Sequence, residues 1–380
     1  MNQALTHRPA WVEIDLNQLR RNFEIINREK PASLKIASVV KDDAYGHGAV
    51  QTARIALKYG ACCLATVTLN EALELRKSNI RAPILLLGER MNKELAACIE
   101  FDLSPCISDP AKANLLAQLA TKANKQINVH VEIDTGMSRY GARWSESLST
   151  INAIANMDGI VLEGVMSHFA MSDETDKSFA LLQLERFEQV LKMMETSGTQ
   201  VPKRHICNTG GFLDLPQAHF DMIRMGILPL GVYPSRVCRR ISGLKPIMSV
   251  KTRIVVIKEL DDGDSVGYGM RYTASEKHRI GVLPVGYGDG YPRVRNQGAV
   301  LIHGKRAPII GGNAMDAMMV DLRNIPKAKP GDEVVLMGED QNDEISVHEI
   351  AELKSSVSYD ILAGWRARLP RIYRDNKMAG

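Results

Sequence analysis

Residues 36–48 place a lysine at the end of an apolar strand. Residues 36–40 are small or β-branched and mostly apolar, which is typical of a strand buried on both faces, and polar, glycine-rich turn residues follow Lys41. An ammonium is costly to desolvate, so a lysine there tends to be charge-paired or covalently bonded to a carbonyl carbon. The alternative is a lysine that extends into solvent. Asp42 and Asp43 beside it are expected to favour the protonated amine.

Other reactive residues also follow apolar runs. Eight such runs occur in the first two-thirds of the chain, at residues 36–40, 63–67, 83–87, 103–107, 127–133, 161–166, 204–207 and 222–225. After the first, fifth, sixth, seventh and eighth runs come, in order, Lys41, residues 134–139, His168, residues 208–211, and Arg224 with Gly226. Any one of these could be structural, but their shared position indicates a common site.

The runs alternate with amphipathic helical patterns, at residues 49–58, 69–77, 92–100, 110–122, 147–155 and 174–196. Eight strands alternating with helices over about 230 residues predict an α/β fold of the (β/α)₈ TIM-type barrel class. In such barrels the chemistry is carried by the loops after the strands. The candidate residues should therefore meet at one end of one barrel.

The pattern changes near residue 245. Apolar runs at residues 248–257, 280–285, 299–302 and 333–337 are separated by turn pairs, and one helix is predicted at residues 347–365. We therefore predict a (β/α)₈ barrel domain at residues 1–244 and a mostly-β domain at residues 245–380.

Composition excludes several functional classes. The net charge of +4 over 380 residues, without a basic block, does not favour nucleic-acid binding. Neither a signal-peptide core nor a run of about 20 apolar residues is found, so no membrane association and a cytoplasmic location are expected. The six cysteines lack metal-ligand spacing, so reduced thiols and no metal are expected.

The stretch around Lys41 resembles the pyridoxal-phosphate lysine motif of the alanine racemase family. Val-Val-Lys is followed, after two residues, by Ala-Tyr-Gly-His-Gly at residues 44–48. Residues 224–227 and 231–235 are similar to the family segment in which an arginine faces the pyridine nitrogen, and the resemblance extends to residues 368–371. It implies pyridoxal 5′-phosphate as cofactor, bound by Lys41, Tyr45, His168, His205, Thr209, Arg224, Gly226, Ile227 and Tyr359.

The resemblance gives Arg224 a chemical role. His205 would orient it, and a guanidinium does not give its proton to the pyridine nitrogen, so the ring stays a weak electron sink. A weak sink favours return of the proton to Cα, as racemisation requires. The 5′-phosphate is expected in the loops after strands seven and eight, where Thr209 replaces the usual serine.

Racemisation needs an acid/base group on each face of Cα. The resemblance implies Lys41 for one face and Tyr268, from the partner subunit, for the other, so a homodimer with shared active sites is expected. A tyrosine hydroxyl is a weak base near neutral pH, so it needs cationic neighbours, for which His168 and Arg224 are the candidates. Without the resemblance, the sequence around Tyr268 would be interpreted as a strand with a tyrosine beside a turn.

Substrate recognition is also implied by the resemblance. Arg139 would pair with the substrate carboxylate, the Met315 backbone would assist, and Tyr287 would lie near the substrate entrance. Many family members carry a carbamylated lysine where this chain has Glu132, and we expect Glu132 to orient Arg139 directly. The alternative is a strand residue in a polar barrel interior. Ala314 replaces the usual cysteine or serine, which could change the substrate range.

The predicted function is interconversion of L- and D-alanine by a pyridoxal-phosphate-dependent racemase. A serine or broader-specificity racemase of the same family is the alternative. A decarboxylase with the same architecture is disfavoured by Arg224 and by the lack of cysteines after Cys238. A non-catalytic pyridoxal-phosphate-binding regulator is disfavoured by the β-domain, with its Tyr268 and residues 313–316.

Overall fold

The computed structural model describes residues 8–375, and within them no helix is both long and apolar enough to cross a membrane. The chain divides into two compact units. The barrel unit comprises residues 20–44 and 49–244, and the β unit comprises, among the described residues, 8–19, 45–48 and 245–375. The prediction that the N-terminus carries no signal sequence rests on residues 1–10, and residues 1–7 lie outside the described residues. The functional division at residues 244 and 245 stays a prediction.

The barrel unit is built on eight parallel strands, which confirms the predicted fold class. The strands are Lys35–Val39, Ala61–Thr66, Ile84–Leu86, Ser104–Pro105, Ile127–Asp134, Ile160–Met166, Lys203–His205 and Met222–Met225. Strand eight pairs with strand one, and backbone hydrogen bonds join strands four and five (Ile107 N to His130 O, 2.9 Å) and strands seven and eight (Arg224 N to Cys207 O, 3.0 Å). Each of the eight predicted runs overlaps one of these strands.

Helices cover the outside of these strands. Their bounds are Leu16–Glu29, Ala49–Lys58, Leu69–Lys77, Leu95–Glu100, Pro110–Lys122, Ser147–Ala155, Ser178–Thr196 and Thr209–Asp214. Thr68 and Glu71 form a reciprocal capping box, and Asp109 caps a helix that starts on Pro110. The pattern predicted at residues 92–100 begins with a 3₁₀ turn, Asn92–Glu94, and the one predicted at 174–196 begins only at Ser178.

A one-turn left-handed helix, Lys41–Gly46, follows strand one. The backbone φ angles of Asp42, Asp43, Ala44 and Tyr45 lie between 51° and 55°. This conformation costs an L-residue about 1–2 kcal/mol, somewhat less for aspartate. Hydrogen bonds oppose that cost: Asp42 N donates to Glu71 Oε1 (2.8 Å), and Ala49 N to Asp43 Oδ1 (2.7 Å). Hydrogen bonds with the helix Leu69–Lys77 and with the start of the helix Ala49–Lys58 thus support the backbone conformation after the lysine.

The β unit contains a ten-stranded sheet. Nine strands follow each other in the order Val256–Leu260, His278–Leu283, Met318–Asp321, Lys305–Ile310, Ala299–Ile302, Glu333–Asp340, Met248–Arg253, Ala10–Asp15 and Arg371–Arg374, and Asp343–Ile345 pairs with Glu333–Asp340. Ser265–Val266 and Tyr272–Thr273 form a separate hairpin. The predicted mostly-β character is confirmed, although Lys305–Ile310 and Met318–Asp321 were not predicted as strands.

The helix predicted at residues 347–365 is two helices, Val347–Lys354 and Ser358–Gly364. The first ends because Ser355 adopts a left-handed conformation, with φ of 52°. Glycine is the residue that a helix C-terminus prefers in this conformation. We therefore expect Ser355→Gly to raise the free energy of unfolding by up to about 1 kcal/mol, and Ser355→Val to lower it by a similar amount. Urea denaturation measures both; an unchanged midpoint for Ser355→Val would contradict the expectation.

Candidate active site

The lysine predicted as catalytic is half-buried at the end of strand one. Burial lowers the pKa of the Lys41 amine, and the positive charge of Arg139 lowers it further, against opposing effects of Glu71 and Asp42. Asp42 therefore favours the protonated amine, as expected, but desolvation of the amine outweighs this effect. A larger neutral fraction makes this amine a better nucleophile towards a carbonyl carbon.

Arg224, on strand eight, is the centre of a hydrogen-bond network inside the barrel. Its side chain is 3% exposed. Nη1 donates to His205 Nδ1 (2.7 Å), and Nη2 to His168 Nδ1 (2.7 Å). The same two nitrogens also donate to the carbonyl oxygens of residues 167, 205 and 206. Within the described residues no acceptor contacts the Nε–H, so this donor is available to a ligand.

The two histidines on Arg224 are neutral. Burial, and next the positive charge of Arg224, hold the pKa of both His168 and His205 well below the ordinary histidine value. Both Nδ1 atoms accept a hydrogen bond, so each ring carries its proton on Nε2. His168 therefore supplies no positive charge to a nearby base, which corrects that part of the sequence analysis; Arg224 remains as the cation.

Three further residues extend this network and were missed from the sequence. His205 Nε2 lies 2.8 Å from His130 Nδ1, and His130 Nε2 lies 3.2 Å from Glu163 Oε2. Lys203 Nζ donates to the other oxygen of Glu163. The hydrogen bond with His130 lowers the pKa of the Glu163 carboxyl to about 2, against the effect of burial and with help from Lys203.

The loop after strand five carries the predicted carboxylate-binding arginine. Asp134 Oδ1 accepts from Gly136 N (2.9 Å) and Ser138 N (3.1 Å), which shapes the loop and leaves Arg139 exposed. Glu132 is buried, and this burial raises the pKa of its carboxyl despite Arg224 and Arg139. No hydrogen bond joins Glu132 to Arg139 within the described residues, so direct orientation of Arg139 stays a prediction.

The predicted phosphate loop begins a short helix, Thr209–Asp214. Asn208 Oδ1 accepts from Gly211 N (3.0 Å) and from Ser172 Oγ (2.7 Å). A Cβ at Gly210 would lie 2.7 Å from Ser172 Oγ, so glycine permits this close approach. Of the other predicted phosphate residues in this unit, Thr209 and Ile227 are buried and Gly226 is half-buried. Their contact with a phosphate stays a prediction.

The remaining candidates belong to the β unit. The rings of Tyr45 and Tyr359 meet edge to face, with centroids 5.9 Å apart. Tyr268 is 77% exposed. Met315 is 51% exposed and its carbonyl accepts from Gly288 N (2.8 Å). The ring of half-buried Tyr287 lies 5.8 Å from the guanidinium of Arg293.

The six cysteines carry free thiols. Among residues 8–375, no cluster of three or more histidine, cysteine, aspartate or glutamate side chains could hold a metal ion.

Comparisons with known proteins cover almost the whole chain. Residues 14–234 match the family model of the alanine racemase N-terminal domain, and residues 247–373 match that of the C-terminal domain. The alanine racemase of Halothermothrix orenii is 40% identical over 381 residues, covering 100% of both chains. That of Methanococcus maripaludis is 35% identical, covering 96% of this chain and 98% of the relative.

Solved structures are similar over the same length. An alanine racemase from Clostridium difficile 630 superimposes with a TM-score of 0.92 at 32% identity, covering 98% of this chain and 97% of the other. The alanine racemase of Bacillus anthracis with bound L-Ala-P has a TM-score of 0.90 at 31% identity, covering 97% and 96%. With both family models matched and this coverage by its relatives, the chain belongs to the alanine racemase family.

Proposed function

We propose that this protein is a racemase that interconverts L- and D-alanine with pyridoxal 5′-phosphate as its cofactor. Family membership supports the reaction class, and the relatives named above are alanine racemases. The observation that carries the proposal is the arrangement around Arg224, whose terminal nitrogens are engaged while its Nε–H is not. Pyridoxal phosphate supplies an electron sink for the α-carbon of a bound amino acid.

The described residues fit this cofactor. Lys41 offers an amine with a lowered pKa for covalent attachment. The Nε–H of Arg224 is a donor suited to a pyridine nitrogen that carries no proton. In the barrel unit Thr209, Gly226 and Ile227 would hold the 5′-phosphate, and in the β unit Tyr45 and Tyr359 are hydroxyls of the kind that bind phosphate. His205 and His168 hold the two ends of the guanidinium.

Proton transfer would use two residues. Lys41 Nζ takes the α-proton on one face, and the hydroxyl of Tyr268 from a second subunit returns a proton on the other. Arg224 keeps its proton and so would not protonate a pyridine nitrogen placed against it, which would favour return of the proton to Cα. Arg139 and the Met315 backbone bind the substrate carboxylate, and Tyr287 lies at the entrance.

The second subunit would be another copy of this chain. The exposure of Tyr268 is unusual for a residue with a catalytic role in its own subunit, and Met270 beside it is 71% exposed. Gly267 and Gly269, on either side of Tyr268, both have positive φ. A two-fold homodimer would cover both side chains.

The test is incubation of the purified, cofactor-loaded protein with L-alanine and, separately, L-serine in heavy water. We expect D-alanine carrying deuterium at Cα, formed faster than D-serine. Faster formation of D-serine would show that serine, and not alanine, is the preferred substrate. That outcome would be consistent with Ala314 in place of the usual cysteine or serine. Deuterium without inversion would contradict the role of Tyr268, and no exchange with either amino acid would contradict the racemase proposal.

A further inference from the structure

A line of side chains crosses the interior of the barrel unit and ends near its surface. It runs from Arg224 through His205 and His130 to Glu163, and the last contact is with Lys203. The two histidines are buried, whereas the side chain of Glu163 is 18% exposed. The hydrogen-bond distances are 2.7 Å from Arg224 to His205, 2.8 Å from His205 to His130, and 3.2 Å from His130 to Glu163.

The chemistry of the two ends fixes the direction of every hydrogen bond in between. Arg224 can only donate, so His205 Nδ1 must accept and Nε2 must carry the proton. His205 therefore donates to His130 Nδ1, and His130 donates from Nε2. Glu163, as a carboxylate, can only accept. Both rings are then neutral and in one tautomer.

Two neighbouring residues support this arrangement. Lys203 Nζ donates to the second oxygen of Glu163, which stabilises the carboxylate in its ionised, accepting form. Gly164, next to Glu163, leaves space for the imidazole: a Cβ there would lie 2.6 Å from His130 Nδ1. The position of His130 thus depends on strand six as well as on its own strand.

We infer that Glu163 and His130 are positioning residues: they help to hold His205 in the tautomer that accepts from Arg224, and thereby hold the orientation of Arg224. This line of side chains orients Arg224. It does not conduct protons, because the guanidinium of Arg224, at one end of the line, does not release its proton. Its importance for catalysis rests on the proposed function, in which Arg224 faces the pyridine nitrogen. The tautomers themselves are independent of that function.

The direct test compares two residues at position 163 in one background. Lys203→Met removes the competing ammonium, so that a glutamine at position 163 can turn its oxygen towards His130 and its amide nitrogen towards solvent. Leucine has a similar size but no acceptor. The matched pair is therefore Glu163→Gln with Lys203→Met, and Glu163→Leu with Lys203→Met; Lys203→Met alone is the control.

The first readout is the ¹⁵N spectrum of histidine-labelled, cofactor-loaded protein, with His130 and His205 assigned by single substitutions. We expect one tautomer, protonated on Nε2, in the wild type, in Lys203→Met and in the glutamine variant. The leucine variant should show a second population in which the rings of His130 and His205 are protonated on Nδ1. A single unchanged tautomer in the leucine variant, or an Nδ1-protonated ring in the wild type, would overturn the inference.

The second readout is racemisation. In metal sites, residues that orient a ligand side chain change activity about 10–100-fold when they are mutated, and we expect an effect of comparable size here. We expect kcat of the leucine variant to fall at least about tenfold below that of the glutamine variant, with little change in KM. Equal kcat values would overturn the link to Arg224 even if the tautomers differ. If the wild type does not racemise any amino acid, the proposed function fails, while the spectrum still decides the tautomer inference.

Discussion

Hybrid dimers that contain one Lys41→Ala chain and one Tyr268→Ala chain should have about half the racemase activity of the wild type. Each variant alone should lose activity by at least about 10³-fold, because one acid/base group is missing from every site. In the hybrid, one site combines the intact lysine of one chain with the intact tyrosine of the other. The second site lacks both.

The experiment is co-expression of the two chains with different affinity tags, purification of the doubly tagged dimer, and measurement of kcat. A hybrid of Lys41→Ala with the Lys41→Ala, Tyr268→Ala double variant is the matched control, since neither of its sites has a lysine. Activity of the first hybrid at the level of the homodimeric variants would contradict a shared site and would assign Tyr268 to its own subunit. The 77% exposure of Tyr268 favours the shared site.

Arg224→Glu should convert part of the cofactor to its amine form, pyridoxamine phosphate, during turnover of alanine. A carboxylic acid can give a proton to the pyridine nitrogen, and the protonated ring is a stronger electron sink. A stronger sink allows protonation on the cofactor instead of on Cα, which is transamination. The wild-type guanidinium prevents this because it keeps its proton.

The variant should also be less stable than the wild type. Arg224 donates to two imidazole nitrogens and three carbonyl oxygens, all buried acceptors that a carboxylate cannot satisfy. Each unsatisfied buried group costs about 1–3 kcal/mol. Arg224→Gln is the control, because glutamine has the shape of glutamate but no acidic proton. This variant should be destabilised to a similar extent and should form no pyridoxamine phosphate. Chromatography of the released cofactor measures this, and equal amounts from both variants would contradict the account.

Most strands of the barrel were predictable because they lie in short runs rich in apolar residues, although strand seven, Lys203–His205, is itself basic and only overlaps such a run. Elements with weaker patterns were not predictable. Lys305–Ile310 contains two basic residues and a proline, so its apolar pattern is short, and the break at Ser355 depends on one backbone angle within an otherwise helical sequence. The left-handed turn after Lys41 opposes the local preference of its own residues, so no propensity argument could predict it.

The positions of several candidate residues at strand ends were predictable, but their electrostatics were not. Lys41, His168 and Arg224 follow or end strands, and this pattern is visible in the sequence. The neutral state of His168 and the lowered pKa of Lys41 result from burial by strands distant in sequence, which a reading of neighbouring residues cannot show. His130 and Glu163 were missed for the same reason. Alternation along strand five does place residues 130 and 132 on one face, a signal that could have indicated His130.

The left-handed turn at Lys41–Gly46 also has a consequence for the order of folding. Four consecutive L-residues with φ near 50° do not hold this conformation in an isolated peptide, because each is less stable there than in the right-handed region. The turn therefore depends on tertiary contacts, such as that between Glu71 and the backbone of Asp42, and we expect it to form together with them. The geometry at Lys41 would then be a late product of folding, and a chain able to bind pyridoxal phosphate through this lysine would already have assembled this part of the barrel.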